Sequence, residues 1–460
     1  MSTQQITQWK GYEKIAFRFF FLYFLVQAIP LDWLYYKQVF AINWGHLKYS
    51  DIFLLAHYMP QFIAGAQSFA GWGIVAAIAA IGTIIWTVID NRPIEGQLPL
   101  HRRGPGGGQT YNNLYYWIRA IVRYRLAIGV IAYGFIKVFP LQSPYPSLSN
   151  LNTIYGDFTR WKLFSISLGI VPGYESFLGL VEVVAGLLLL NRKTASVGAV
   201  IILLFTGNVF MSNIAYDGGE VVYSLYLIIL ALFVLSWDLQ RIVTLLVLQK
   251  PTTPNHFRPV FTAKWQVYAR WGLKVFAVFF FVLLYSFKTA TGYKKDPYQF
   301  PVTKGLSKTA GIYNVSYFRI NADTIAYSKY DPVRWQDVVF EEWNTISIRS
   351  NRPVHIDSNN VESIHATDAD KTYELEGAIG RHYYSYTVDT VNQLLTLQNK
   401  NKFYKNEQLQ LHYTRSNDST IQLYGVNENR DSVFATLQRI NKKYLLKEVE
   451  HAGRGKSLKL

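Results

Sequence analysis

Cysteine is absent from this chain of 460 residues. A chain without cysteine cannot itself supply a dithiol relay, a cysteine zinc site, an iron–sulfur cluster or a covalent haem attachment. The nine histidines do not replace these ligands, because they show no metal-ligand spacing. We therefore expect no metal site and no encoded redox cofactor. The absence does not identify a compartment, since periplasmic domains also fold without disulfides.

Signatures of nucleotide and nucleic-acid binding are also missing. The glycine-rich stretch 101–108 lacks the Lys-Ser/Thr pair of a P-loop and follows no predicted strand, so we interpret it as a linker. The formal net charge is +16, but many basic residues lie beside apolar runs, where membrane topology explains them better than nucleic acid does. We also find no nucleophile elbow and no pair of glycosidase carboxylates. The sequence is therefore not typical of a soluble enzyme.

Long apolar runs dominate residues 10–290, whereas residues 295–460 are polar with alternating apolar positions. A membrane-spanning helix needs about 20 mainly apolar residues. Seven stretches reach or approach this length, namely 15–31, 70–89, 125–140, 170–190, 195–214, 220–237 and 268–288. The first stretch carries Arg18 and has no small-residue cleavage site after it, so we expect a retained anchor rather than a signal peptide. An amphipathic stretch at 51–67, interrupted by Pro60, is expected to lie along the interface.

Basic residues follow an alternating pattern in the loops. They precede the first apolar stretch and recur between the second and third, the fourth and fifth, and the sixth and seventh stretches. The positive-inside rule makes these loops cytoplasmic. We therefore predict a multi-pass protein of the inner (cytoplasmic) membrane, with a cytoplasmic N-terminus and a periplasmic C-terminal domain.

The C-terminal third is predicted to be an all-β domain. Apolar and polar residues alternate with the strand period at 394–398, 409–414, 420–425 and 433–440. Earlier strand candidates are 311–319, 335–341, 344–349 and 371–376. This pattern favours an antiparallel sandwich or a small lipocalin-like barrel. The predicted organisation is a two-span segment at 1–110, a four-helix bundle at 111–245, a loop and final span at 246–292, and the β domain at 300–460.

Glu182 is the clearest polar residue inside a predicted span. A charged group there costs about 2.5–3.5 kcal/mol on insertion scales, so it needs a reason. One interpretation is a protonatable group or an acceptor for a polar headgroup, and the other is an ion pair with a neighbouring helix. Glu175 lies seven residues earlier on nearly the same helical face.

Candidate partners for Glu182 lie in other spans. Tyr133 and Lys137 are four residues apart and share a helical face, although Lys137 alone is more simply explained by snorkelling to the interface. Arg125 opens the same span and is interpreted as a topology anchor. Other polar candidates are Asn208, Asn213 and Tyr223, where the alternative for asparagine is a bond between helices. Convergence of these residues would form a polar pocket.

The block 125–238 resembles the DoxX family of bacterial membrane proteins, a group that includes DoxD and is related to MauE. The resemblance lies in "RLAIGVIAYGFIKVFP", "VEVVAGLLLLNRK" and "LSWDLQRI", with Arg125, Gly129, Gly134, Lys137, Glu182, Gly186 and Asp238. It implies a four-helix membrane bundle, here in the extended form of Bacteroidetes with a C-terminal β domain. Family members are linked to quinone-coupled thiosulfate oxidation and to oxidative-stress complexes, while the lack of cysteine excludes a thiol-transfer role of the MauE type.

Two functions are compatible with these observations. The first is a DoxX-like membrane subunit linked to quinone or electron transfer, with quinone bound near Glu182 and a redox or envelope protein docked on the β domain. The second is a non-catalytic membrane scaffold or assembly factor for envelope proteins. In both cases we expect the lipid bilayer as a partner and no nucleic acid.

Overall fold

The computed structural model describes residues 9–62, 68–91, 104–253, 263–296, 298–356, 368, 371–372, 374–453 and 457. The chain divides into two compact units. The helical unit comprises Met1–Phe139, Gly173–Ala215 and Glu220–Tyr293, and the barrel unit comprises Pro140–Pro172, Tyr216–Gly219 and Lys294–Leu460. Residues 92–103, which include the start of the glycine-rich stretch, lie outside the described residues. The rest of that stretch, 104–108, is helical and therefore not the linker that the sequence predicts.

Thirteen α-helices occur in the described residues. They are α1 Gly11–Ala28, α2 Trp33–Ala41, α3 Tyr49–Ala56, α4 Phe69–Asn91, α5 Gly104–Val138, α6 Leu148–Leu151, α7 Arg160–Gly169, α8 Pro172–Leu190, α9 Ala195–Ala215, α10 Val221–Leu246, α11 Lys264–Val278, α12 Tyr285–Gly292 and α13 Leu445–Ala452. A π-helical segment, Phe279–Leu284, joins α11 to α12.

Six helical segments are long and apolar enough to cross a membrane. They are Gly11–Ala41, Phe69–Asp90, Pro172–Leu190, Ala195–Ala215, Val221–Leu246 and Lys264–Gly292. Each overlaps one of the predicted spans. The remaining predicted span, 125–140, falls in α5, a helix of 35 residues. Arg123, Arg125 and Lys137 interrupt the apolar character of its last five turns, so the predicted count of seven spans stays a prediction.

Glycines allow α5 and α8 to pack backbone against backbone. A Cβ placed on Gly179 would lie 2.4 Å from the Val138 nitrogen and 2.5 Å from the Gly134 carbonyl oxygen. A Cβ on Gly134 would lie 2.7 Å from Cγ2 of Val183. Small residues at such positions let helices approach closely enough for van der Waals packing to hold them. The close approach also determines which polar side chains of α5 and α8 can meet.

The barrel unit contains a closed antiparallel sheet. Its strands are β1 Gly311–Ile320, β2 Asp323–Thr324, β3 Asp337–Phe340, β4 Thr345–Arg349, β5 Arg381–Asp389, β6 Leu394–Asn399, β7 Gln408–Asn417, β8 Thr420–Asn427 and β9 Ser432–Arg439. From β3 to β9 each strand pairs with the next, and β1 pairs with both β3 and β9. Eight strands thus close a barrel. The two-residue β2 pairs only with the end of β1.

The barrel interior is filled by side chains. Alternate residues of each strand point inward, including Leu395 and Leu397 of β6 and Leu409 and Leu411 of β7, and they form one buried apolar cluster. Eight strands give an interior just wide enough for side chains to fill. The predicted all-β antiparallel domain is therefore a barrel, and its alternating pattern marks the inward-facing residues.

One predicted strand is wrong and, apart from the two-residue β2, one observed strand was missed. The segment predicted at 371–376 contains a turn, in which Leu375 and Glu376 both donate their N–H groups to the carbonyl of Thr372. The missed strand is β5, whose first four residues are all buried. A strand buried on both faces lacks the alternation that identifies a half-exposed strand.

Residues 140–172, predicted to belong to the four-helix bundle, pack on the barrel instead. Glu341 accepts hydrogen bonds from the Ser149 nitrogen at 2.7 Å, the Ser149 hydroxyl at 2.6 Å and the Leu148 nitrogen at 3.1 Å. Burial raises the pKa of Glu341 above its usual value, although these hydrogen bonds offset part of the effect. Further along, Phe158 forms an antiparallel bridge with Ala378. This segment covers the outward face of β5, where Arg381 donates to the Asn152 carbonyl at 3.4 Å.

We expect Gly179→Ala to destabilise the helical unit, because the new methyl group collides with the backbone of α5. Overpacking of this kind costs about 1–3 kcal/mol. Gly207→Ala in α9 is the matched control, because nothing lies within 4 Å of a Cβ at that position. The control should be neutral or slightly stabilising, since alanine is about 1 kcal/mol better than glycine within a helix. Unfolding curves in detergent measure both variants, and equal stability of the two would contradict the proposed helix contact.

Candidate functional site

Helix α3 ends within the helical unit, where non-helical backbone needs polar partners. The chain leaves α3 after Ala56, and Tyr58 and Met59 remain buried. In apolar surroundings an unsatisfied backbone carbonyl costs several kcal/mol. Arg125 of α5 meets this requirement, because its Nη2 donates to the carbonyl oxygens of Ala56 and, at 3.0 Å, Tyr58. Its guanidinium also lies 5.2 Å from the centre of the Tyr58 ring. Arg125 is thus buried and bonded, unlike the topology anchor that the sequence predicted.

His57 follows this break and faces a carboxylate. Its Nε2 lies 3.4 Å from Oε2 of Glu220, and the side chains of His57 and Glu220 are 17% and 32% exposed. The imidazole lies 4.0 Å from the Tyr223 ring centre and 5.5 Å from that of Tyr133. Asn213 holds the backbone at this point, since its Oδ1 accepts from the Glu220 nitrogen at 3.1 Å. The start of α10 is thereby fixed to the end of α9, with Glu220 beside His57.

Lys137 and Glu182 form an ion pair between α5 and α8. Their Nζ and Oε1 atoms are 2.6 Å apart, and the side chains are 12% and 8% exposed. The Lys137 ammonium also lies 5.9 Å from the ring centre of Tyr133. This is the ion pair that the sequence analysis offered as its alternative. Because Lys137 is paired, snorkelling alone does not account for its position.

Tyr133 lies between the two pairs. Its ring centre is 5.5 Å from that of the His57 imidazole on one side and 5.9 Å from the Lys137 ammonium on the other. We call His57, Tyr133, Lys137, Glu182, Glu220 and Tyr223 the Tyr133 cluster. The cluster combines two carboxylates, an imidazole, an ammonium and two phenol groups. Such groups can donate hydrogen bonds to carbonyl oxygens and exchange protons.

The sequence-predicted candidates have different fates in the structure. Lys137, Glu182, Tyr133 and Tyr223 meet in the cluster, and Asn213 lies at its edge. Asn208 is exposed on α9 and does not take part. Glu175 is buried in the first turn of α8.

His57 and Glu220 are not among the residues that the sequence predicts for a site. One signal for His57 was available, because Phe53 and His57 are four residues apart and Pro60 follows. Their rings stack at 5.4 Å. The carboxylate partner was not predictable, since Glu220 is distant in sequence.

The remaining residues of the family-like motifs serve packing and ion pairing. A Cβ on Gly129 would lie 2.7 Å from the Tyr223 hydroxyl, so this glycine makes room for the cluster. Gly186 packs in the same manner against Ile131. Asp238 accepts from the Ser196 hydroxyl at 2.6 Å and from Arg241 at 2.8 Å, and lies 3.3 Å from Arg119.

A second polar cluster lies in the barrel unit. Arg352 donates to Glu407 at 2.8 Å and to His382 at 3.1 Å, and the Tyr384 hydroxyl also donates to Glu407. Burial and the charge of Arg352 lower the pKa of His382 to about 4. Burial alone would raise the pKa of Glu407, but the hydrogen bonds from Arg352 and Tyr384 keep it below the usual value. Near neutral pH the imidazole is therefore uncharged, and we interpret this cluster as an internal brace.

We expect Lys137→Met to destabilise the helical unit by about 3–5 kcal/mol, because it leaves the Glu182 carboxylate buried without its cation. The double variant Lys137→Met/Glu182→Leu should regain most of this loss, since neither charge then remains. Arg160→Gln is the control, because the pair of Arg160 with Asp217 is 72% and 69% exposed and is worth at most about 1 kcal/mol. Unfolding in detergent measures all three variants. A double variant no more stable than Lys137→Met would contradict the coupling.

No protein-family model matches the chain, and neither a curated protein nor a solved structure matches it.

Proposed function

We propose that this chain is a DoxX-like, multi-pass inner-membrane protein that binds the headgroup of a quinone at the Tyr133 cluster. It acts as an accessory subunit in electron transfer, with its barrel unit in the periplasm. The observation that carries the proposal is the grouping of His57, Tyr133 and Lys137, three hydrogen-bond donors, within an apolar helical unit.

Surface composition supports the membrane placement. On α4 the side chains of Ile81, Ile84, Ile85 and Ile89 are exposed, and Leu204 of α9 is exposed as well. Contiguous apolar surface of this kind is rare on soluble monomers, whereas hydrocarbon is a suitable solvent for it. The alternation of basic loops supports a cytoplasmic N-terminus.

The chemistry of the cluster suits a quinone. A quinone presents two carbonyl oxygens on a flat apolar ring, so it needs hydrogen-bond donors beside aromatic surface. His57, Tyr133 and Lys137 are the donors, and Phe53 and Tyr223 provide the rings. Reduction to quinol consumes two electrons and two protons. Glu182 and Glu220 are the groups that relay protons, and the electrons come from a redox-active partner protein.

The positions of the motif residues at contacts between helices support the DoxX-like assignment. Gly129, Gly134 and Gly186 lie where α5 meets α8 and α10, and a side chain at any of them collides with a neighbour. Lys137 and Glu182 pair across the contact between α5 and α8. The motif residues thus shape the same group of helices that holds the cluster.

We expect the purified protein to retain quinone, and His57→Phe or Tyr133→Phe to retain less. Each substitution keeps the ring and removes one donor, so a loss of about 1 kcal/mol, or roughly fivefold in affinity, is expected. Glu182→Gln should also lower retention, because it weakens the hold on Lys137. Asn208→Ala, on exposed α9 surface, is the control and should match wild type. Quinone is measured by solvent extraction and chromatography. Wild-type protein carrying no quinone above background would reject the proposal.

The filled barrel favours a second candidate function, that of a scaffold for envelope proteins. Because apolar side chains occupy the barrel interior, we expect a partner protein to bind the outer surface. Val391 and Tyr330 are 89% and 87% exposed there.

For this scaffold function we expect a photo-crosslinker at Val391 or Tyr330 to capture one discrete envelope protein in cells. The same crosslinker at Leu204 of α9 provides the comparison. Identical adducts from the barrel and from α9, or none from the barrel, would contradict a docking role.

A further inference from the structure

Four arginines lie at the end of the helical unit opposite the Tyr133 cluster along α5, and two of them bind one carboxylate. Arg119 and Arg123 lie one turn apart on α5, Arg192 lies in the turn between α8 and α9, and Arg241 lies on α10. Arg119, Arg123 and Arg192 interact electrostatically with one another. Asp238 is the carboxylate, and it bonds Arg241 and Arg119. We call these four arginines the arginine cluster.

Positive charge exceeds negative charge in this cluster, because Asp238 is the one carboxylate that bonds its arginines in the part of the chain that the structure describes. Residues 239–264 contain no acidic residue. The positive-inside rule accounts for basic residues in loops that are exposed to water. It does not account for Arg119, which is buried. Repulsion from neighbouring cations is costlier for a buried arginine, and one carboxylate does not balance four guanidinium groups.

The chemistry of the cluster indicates a phosphate group. All four cations are arginines, whose planar guanidinium groups match phosphate oxygens in a bidentate manner that lysine cannot reproduce. Aromatic rings accompany them, with Arg119 lying 5.2 Å from the centre of the Trp237 ring and Arg123 lying 5.4 Å from that of Tyr124. Tryptophan and tyrosine are typical of the depth at which lipid headgroups lie.

Apolar surface beside the cluster identifies the source of the phosphate. Leu239, Val243 and Leu246 of α10 are exposed, and their spacing places them on one helical face. A soluble phosphate would leave this face unused, whereas a phospholipid covers it with its acyl chains. We infer that the arginine cluster binds the phosphate of an anionic phospholipid. This inference shares the membrane placement with the proposed function but does not depend on quinone.

The test uses the full-length protein in a neutral detergent with added phosphatidylglycerol, phosphatidylcholine or inorganic phosphate. Native mass spectrometry measures bound lipid, and thermal unfolding measures stabilisation. We expect phosphatidylglycerol to bind and to raise the unfolding temperature, and the other two additives to have little effect. Equal binding of both phospholipids would overturn the inference, and stabilisation by inorganic phosphate alone would assign the cluster to a soluble anion.

Variants decide whether binding is specific to the cluster. Arg123→Gln and Arg192→Gln should each weaken phosphatidylglycerol binding about fivefold, the change that corresponds to about 1 kcal/mol for one basic residue at a lipid surface. Arg123→Lys should restore part of the loss, because it restores charge without the bidentate geometry. Lys250→Gln, an exposed position on the same side, should bind like wild type.

A loss of phosphatidylglycerol binding in Lys250→Gln as large as in Arg123→Gln and Arg192→Gln would show a general basic surface and overturn the site. Bound quinone should not change in any of these variants, which separates this test from that of the proposed function.

Discussion

Burying charged groups and unpaired backbone carbonyls in apolar surroundings is costly, and this cost determines how the helices of the helical unit are arranged. Arg18 illustrates this constraint, because α1 carries it into the apolar interior. There it pairs with Asp90 of α4 and bonds the Tyr111 hydroxyl at 2.6 Å and the Thr87 hydroxyl at 2.7 Å. Arg125 satisfies the carbonyls at the end of α3 in the same way. Each buried cation therefore links two or three helices, and the helices are arranged so that these partners meet.

Backbone contact between helices makes such pairing possible. Lys137 reaches Glu182 because α5 and α8 approach without intervening side chains at Gly134 and Gly179. The glycines cost helix propensity, by about 1 kcal/mol each relative to alanine. The closer approach offsets this cost through packing and by excluding water from the ion pair. The glycines of α5 and α8 thus allow the charged residues of the same two helices to pair.

Local sequence patterns predict the helices and strands. The candidate site, in contrast, depends on contacts between residues that are distant in sequence. Apolar runs located six helical segments long and apolar enough to cross a membrane, and alternation located β6 to β9, because both signals lie within one element. The same reasoning failed at β5, where residues 140–172 bury the outer face, and at 371–376, where hydrogen bonds to Thr372 form a turn. Lys137 and Glu182 were identified because charge in an apolar helix is conspicuous. The roles of Arg125 and His57 depend on the end of α3, which no pattern near Arg125 reveals.

Completeness of hydrogen bonding distinguishes a brace from a site that can accept a ligand. Arg18 is enclosed by Asp90, Tyr111 and Thr87, and the arginine and aspartate side chains are almost fully buried. The Tyr133 cluster is less closed, since His57 and Glu220 retain exposure and lie 3.4 Å apart, a distance at which a hydrogen bond is weak. A small molecule can exchange bonds with these two groups at little cost, whereas displacing a partner of Arg18 would strand a buried charge. This difference in hydrogen bonding is the reason why we propose the Tyr133 cluster, and not the surroundings of Arg18, as the ligand site.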